Sequence, residues 1–237
     1  MARPLIASLI CGSPGRNHDF DFARLRLAQA LYDAYGIKVD CFQDYEDSAA
    51  ILGGDLLVTY TSQVALSDKA CAAIRRYLEK GGRWFALHAS NSVLQNQIMP
   101  KIMGTRFITH PPYMRFPVEI AKPDEPLLDG IAPFEIDDEL YVIENVTGDL
   151  DVLLTTRWGG KAFGGHEFEE DERILMYRRV VGDGGLLYLA LGHANRPYDK
   201  PFAHLPDQPD YRGPWDLPVF NTLIERGIAW AAKRRPF

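Results

Sequence analysis

The chain is predicted to adopt an α/β fold, a doubly wound and mostly parallel sheet with an antiparallel extension. Three features predict it. Over the first 90 residues, short apolar runs alternate with segments of helical periodicity. The helical segments stop at glycine. After residue 100 the rhythm changes to short runs separated by turns.

The elements follow in order. Pro4 to Cys11 reads as an apolar strand, and Phe22, Leu25, Ala28, Leu31, Tyr32 and Tyr35 then recur at helical spacing until Gly36. Ile37 to Phe42 alternates like a strand and Asp55 to Tyr60 is a third. Ser67 can cap a helix whose buried side is Ala70, Ile74, Tyr77 and Leu78 before Gly81 and Gly82. Arg83 to Leu87 is the fourth strand. Strands joined by helices of this length pair in parallel through right-handed crossovers, in the flavodoxin manner, and bind ligands at their carboxyl ends. Phe116 to Lys122, Glu139 to Ile143, Val152 to Thr156 and Arg173 to Val181 read as the antiparallel extension. EFEEDER at 167–173 reads as a solvated charged loop. Leu186 to Leu191 returns to the parallel core, and Pro218 to Lys233 is a closing helix with Phe220, Leu223, Ile224, Gly227 and Ile228 inward. Between them, Ala194 to Leu217 is too polar for core and too aromatic for a linker, and reads as a loop covering a site.

Composition narrows the function. With 237 residues, 46% of them hydrophobic, the chain can form one domain over residues 1–237. The net charge of -6 and the absence of a basic stripe argue against nucleic acid. MARPLIASLICGS holds too short an apolar run for a secretory signal and no run is long enough to span a bilayer, so the expected setting is cytoplasmic, with no membrane partner. Cys11, Cys41 and Cys71 lack a CxxC pair and read as reduced thiols. GGDLLV at 53–58 and GDGGLL at 182–187 lack the spacing and following helix of a phosphate loop, so no nucleotide cofactor is expected.

The histidines carry the functional signal. His18, His88 and His193 each follow a predicted strand that ends on the same sheet edge, with His110 and Glu139 expected near the rim. Such convergence makes either a metal site with imidazole ligands, for a zinc-like divalent ion, or a general acid/base pocket. His166 and His204 read as surface or lid residues. Asp19 either orients His18 or caps the following helix. Asp138 faces away from Glu139 if the segment is extended, so the two are not a pair. Ser90 and Ser92 lie off the position that a serine nucleophile needs.

Five segments resemble the trehalose-utilisation ThuA-like family: NHDF at 17–20, GGRWFALHAS at 81–90, FITH at 107–110, DDELY at 137–141 and GDGGLLYLALGH at 182–193; RGIAWAA at 226–232 is similar to its closing helix. Tyr177, Gly185 and the stretch 196–217 depart from the family's usual pattern. The resemblance implies the class I glutamine amidotransferase-like form of the flavodoxin architecture. In those amidotransferases the turn after the fourth strand reads Gly, apolar, Cys, which on this chain is Ala86, Leu87 and His88. Imidazole cannot hold a glutamine acyl group as a thioester, so amidotransferase chemistry is expected to be absent. The family's association with trehalose and its keto derivatives implies a small carbohydrate substrate. Asn17, Asp19, Asn91, Tyr113, Tyr141, Trp158 and Tyr198 are the candidate sugar-binding residues. Glu139 is the candidate base, with His88 and His193 beside it in catalysis and His18, His88 and His193 as the candidate metal ligands. The readings, in order, are a sugar-modifying isomerase or lyase, a non-catalytic carbohydrate-binding or regulatory protein, and an amidase-like hydrolase; a homo-oligomer is compatible with each. The small neighbours Ala89 and Ser90 suggest that His88→Ala costs no more than about 1 kcal/mol of stability.

Overall fold

The computed structural model describes residues 3–15, 17–93, 96–196 and 210–235. β1 (Ile6–Gly12) leads into α1 (Phe20–Tyr35), which ends at Gly36 in the left-handed region with φ 60°. β2 (Lys38–Phe42), the short α2 (Ser48–Ile51) and β3 (Leu56–Thr61) follow. Ser67 caps α3 (Asp68–Glu79) by accepting from the Ala70 N–H, and β4 (Arg83–Leu87) comes next. The second half comprises α4 (Met99–Met103), β5 (Thr105–Thr109), β6 (Met114–Ile120), β7 (Phe134–Asp138), β8 (Val142–Asn145), β9 (Asp151–Lys161), β10 (Glu167–Val181), β11 (Gly184–Leu189) and α5 (Pro218–Ala231).

Nine strands form one sheet in the order β2-β1-β3-β4-β11-β10-β9-β6-β7, and β5 pairs with β8 in a separate ribbon. The first five are mutually parallel, which is the flavodoxin order, and β10, β9, β6 and β7 extend the sheet antiparallel. The parallel strands are buried on both faces, as their continuous apolar runs require: β3 and β11 are buried throughout. α1 and α5 cover one face through Leu27, Leu31, Phe220 and Ile228. α3 and α4 cover the other through Cys71, Ile74, Leu78 and Ile102.

Three expectations require correction. α1 buries Ala23, Leu27 and Leu31, whereas Leu25 is 72% and Tyr32 67% exposed, with Tyr35 also outward. A helix lying on a sheet buries a narrow stripe four residues apart, and the larger residues beside it face solvent. EFEEDER is part of β10, its polar side chains tolerated because the outer part of the β9–β10 hairpin is solvated on both faces and held by backbone pairing and Arg173 Nε donating to the Trp158 carbonyl at 3.0 Å. Glu139 is not in a strand: it lies in the link between β7 and β8.

Candidate functional site

Three parallel strands deliver one histidine each. His18 follows β1, His88 follows β4 and His193 follows β11. The three rings stand 4.9–5.5 Å apart between centroids. Glu139 completes the group, and one ligand atom from each of the four residues lies within 4.8 Å of the others.

His88 is fixed from several sides. Its backbone takes φ 44°, a left-handed value uncommon outside glycine, as the chain leaves β4 into a single 3₁₀ turn over His88–Asn91. The Tyr188 hydroxyl donates to its carbonyl at 2.7 Å, and its ring lies 4.2 Å from that of Tyr141. Nδ1 is 2.7 Å from the Ala190 carbonyl. A carbonyl only accepts, so Nδ1 carries a proton and Nε2 is the ring nitrogen turned to the cluster.

Asp138 sets the relative placement of His193 and Glu139. Its buried carboxylate accepts from the backbone N–H of Gly192 at 2.7 Å and of His193 at 2.9 Å, and from that of Glu139 at 2.9 Å. The end of β7 is thereby clamped to the end of β11. Burial pushes the Asp138 carboxyl up, against the opposing pull of His88 and these N–H donors. The Gly192 carbonyl is in turn gripped by Tyr60 and Trp215, each donating at 2.8 Å. His18 is brought in by the Asp19 N–H donating to the Ala194 carbonyl at 2.7 Å.

The electrostatics favour a neutral His18 ring and an ionised Glu139 carboxylate. Burial, reinforced by His193 and His88, holds the His18 pKa well below the ordinary histidine value. For Glu139 burial acts upward, but His193 and the other imidazoles outweigh it and hold the carboxyl well below its usual range. Glu139 Oε2 stands 3.0 Å from His193 Nδ1 and 3.8 Å from His88 Nε2, and Oε1 stands 3.8 Å from His110 Nδ1. His18 Nδ1, His88 Nε2 and His193 Nδ1 are buried and make no aligned hydrogen bond. Asn195 Nδ2 donates to His193 Nε2 at 2.9 Å, which leaves the His193 proton on Nδ1 facing Glu139, while His18 Nδ1 and His88 Nε2 have no aligned partner; the four residues fit a divalent cation that would displace the His193 proton. Ligands at about 2.0–2.1 Å from zinc stand roughly 3.4 Å apart, so closing on an ion needs an inward shift of about an ångström.

The other candidates divide. Tyr141 forms a wall of the cluster, 3% exposed, with its hydroxyl 3.5 Å from His18 Nε2; burial pushes its pKa well above the usual tyrosine value. Tyr113 lies toward the surface, its ring 6.0 Å from His193 and 4.5 Å from Tyr211. His110 is half-buried beside Glu139, and Asn17 is half-buried in the loop after β1. Asp19 caps α1 by accepting from the Phe22 N–H at 3.0 Å, and its other oxygen meets Arg212 at 2.9 Å and Arg196 at 3.0 Å, so of its two readings the capping one describes its geometry. Asn91 faces away from the edge: buried in the 3₁₀ turn, it donates to Thr105 Oγ1 at 2.8 Å in a network continuing to Tyr177. Trp158 packs on Phe168 within the β9–β10 hairpin. His166 is exposed. Tyr198, His204 and most of the covering loop lie outside the described residues. The sequence reading missed the roles of Asp138 and Gly192, which no local pattern could supply because their partners are distant in sequence.

A model of the ThuA family, described as trehalose utilisation, matches residues 9–204. The chain belongs to the ThuA family. A ThuA-like protein from Parabacteroides merdae is similar in structure, with a TM-score of 0.73 at 17% identity over 98% of this chain and 91% of its own. A ThuA-like protein from Bacteroides uniformis gives 0.70 at 17% identity over 98% and 93%. A β-galactosidase from Rahnella sp. R3 gives 0.62 at 15% identity, covering 98% of this chain and 32% of that longer one. At these identities the structural likenesses show the shared fold. No curated protein matches the chain. Among the described residues, no helix is long and apolar enough to cross a membrane. The matched range 9–204 contains all four members of the cluster.

Proposed function

We propose that this ThuA protein is a sugar-modifying enzyme of the isomerase or lyase type, acting on keto-disaccharides or related sugars at the cluster of His18, His88, His193 and Glu139. The observation that carries the reading is the grouping of three buried imidazoles and one carboxylate, one ligand atom of each lying within 4.8 Å of the others. A divalent, zinc-like cation held by His18, His88 and His193 would polarise a sugar oxygen as a Lewis acid. Glu139, ionised and the most exposed of the four at 15%, takes the proton from the carbon beside the ketone. In the isomerase case the proton returns to the neighbouring position. In the lyase case the electron pair left on carbon expels the glycosidic oxygen and forms a carbon–carbon double bond conjugated to the ketone, and the departing oxygen takes the proton that Glu139 removed. Burial of the cluster excludes water from the carbanion-like intermediate, and His193 at 3.0 Å keeps Glu139 oriented. Without a thiolate after β4, amidotransferase chemistry has no nucleophile.

One feature favours a non-catalytic carbohydrate-binding protein instead: a carboxylate held well below its usual pKa is a weakened base. Nuclear magnetic resonance of a 3-keto-disaccharide in deuterated buffer separates the two. The enzyme reading predicts exchange of the proton beside the ketone, lowered about 10²-fold or more in Glu139→Gln. Binding without exchange in the wild type establishes the non-catalytic reading.

A further inference from the structure

At the amino ends of β3 and β4, the opposite edge of the sheet from the histidine cluster, residues of α2, α3 and the segment after α5 line a cavity of about 670 Å³. Its volume falls within the range of small-molecule sites. Although the chain carries a net charge of -6, four cations line this cavity: Lys69, Arg76, Lys80 and Lys233. Among the described residues none of the four has a carboxylate within ion-pairing distance. The one carboxylate in the lining, Asp55, is already engaged: it accepts from Arg3 at 2.7 and 2.8 Å and from the Ile6 N–H at 2.8 Å. Lys69, Arg76 and Lys80 share one face of α3 with the small Ala73 between them, in a row about 16 Å long. Arg76 and Lys80 also meet the negative end of the α3 dipole, but Lys69 stands in the first turn, where the helix field disfavours a cation. Helix ends alone therefore do not account for the set.

Lys233 gives a second, independent indication. It follows the end of α5 with φ 57°, its N–H donating to the Trp230 carbonyl at 3.0 Å and the next N–H, of Arg234, to that of Ala229 at 2.8 Å. That closing position is usually glycine, which adopts the left-handed backbone without strain. Lysine here instead carries an ammonium to the cavity wall, where Nζ lies 3.8 Å from the point that a Cβ on Gly81 would occupy. Cations gathered from two separate elements repel one another, and a multiply charged anion between them removes that repulsion.

We propose that this cavity is a second ligand site, for a small ligand that carries an oligophosphate group. It is separate from the histidine cluster and does not depend on the reaction assigned there.

Calorimetric titration of metal-stripped protein with inorganic phosphate, pyrophosphate, tripolyphosphate and hexaglutamate tests it, in the wild type, in a double variant combining Lys69→Gln with Lys233→Gln, and in Lys101→Gln. Lys69, Lys233 and Lys101 are all exposed, and Lys101 lies outside the cavity lining, so the fold is kept and the third protein reports non-specific attraction. The site predicts tripolyphosphate binding at least about tenfold tighter than phosphate, with pyrophosphate between them, and weakening as salt is raised. It predicts a loss of about tenfold or more for tripolyphosphate in the double variant, whose circular dichroism stays native, and an affinity within about twofold of wild type in Lys101→Gln. Absence of tripolyphosphate binding in the wild type, an unchanged affinity in the double variant, or an equal loss in Lys101→Gln overturns the site. Hexaglutamate bound as tightly as tripolyphosphate also overturns it, in favour of an acidic protein segment as the occupant.

Discussion

His88 combines a left-handed backbone, a fully buried ring and a single hydrogen bond that fixes its tautomer. The structure therefore revises the small stability cost that its polar neighbours suggest. His88→Ala removes ring contacts with Tyr141 and leaves the Ala190 carbonyl unpaired, and is expected to lower stability by about 2 kcal/mol, read by thermal or denaturant unfolding. An unchanged midpoint would show that the ring contributes nothing to packing. Asp138 is a second residue whose role is positional. Asp138→Asn replaces one acceptor oxygen by a donor facing a backbone N–H, and is expected to cost about 2–3 kcal/mol in denaturant unfolding. Since Asp138 touches neither His18 nor His88 through a hydrogen bond, its variant should also weaken metal binding through displacement of His193 and Glu139 alone. Full stability and full metal affinity in that variant would remove the clamp from the account.

At the scale of elements, α1 offers a direct contrast. Leu27→Ala should cost about 2–5 kcal/mol, while Leu25→Lys or Tyr32→Lys should stay within about 0.5 kcal/mol of wild type, because only the first removes buried surface. The reverse ranking would reinstate the face that residue size alone suggests. The antiparallel extension is tied to the turn after β6 by Arg178, which meets Glu125 at 3.0 Å and Asp151 at 2.5 Å, while Lys122 also reaches Asp151. Burial acts to raise the Asp151 pKa, but Lys122 and Arg178 outweigh it and hold it below the ordinary carboxylate value. The unfolded chain then binds the proton first on acidification, so this stabilisation is full above the unfolded value and is lost as pH falls through the folded one. Asp151→Asn should be less stable than wild type at pH 6, with the gap narrowing as pH falls below the ordinary carboxylate value in parallel unfolding curves. A gap constant with pH would assign the loss to packing rather than charge.

For the whole molecule, the parallel half was legible because its signals are local: apolar runs for β1, β3 and β4, a serine cap on α3, glycine at the end of α1. Convergence of His18, His88 and His193 followed from topology, since parallel strands share one carboxyl edge. β5 and β7, the strand character of 167–173 and the inner face of α1 were not legible, because each depends on which surface another element covers. The same holds for Asp138 and Gly192, whose partners lie more than fifty and about twenty to a hundred and thirty residues away. The central claim is that His18, His88 and His193 hold one divalent cation beside the base Glu139. Cobalt(II) titration of metal-stripped protein tests it most directly, read by visible absorbance in the wild type and in His18→Gln and His193→Gln. The account predicts a four-coordinate spectrum saturating at one equivalent in the wild type and lost in both variants, whose circular dichroism stays native; absence of binding in the wild type, or the same spectrum in both variants, would contradict it.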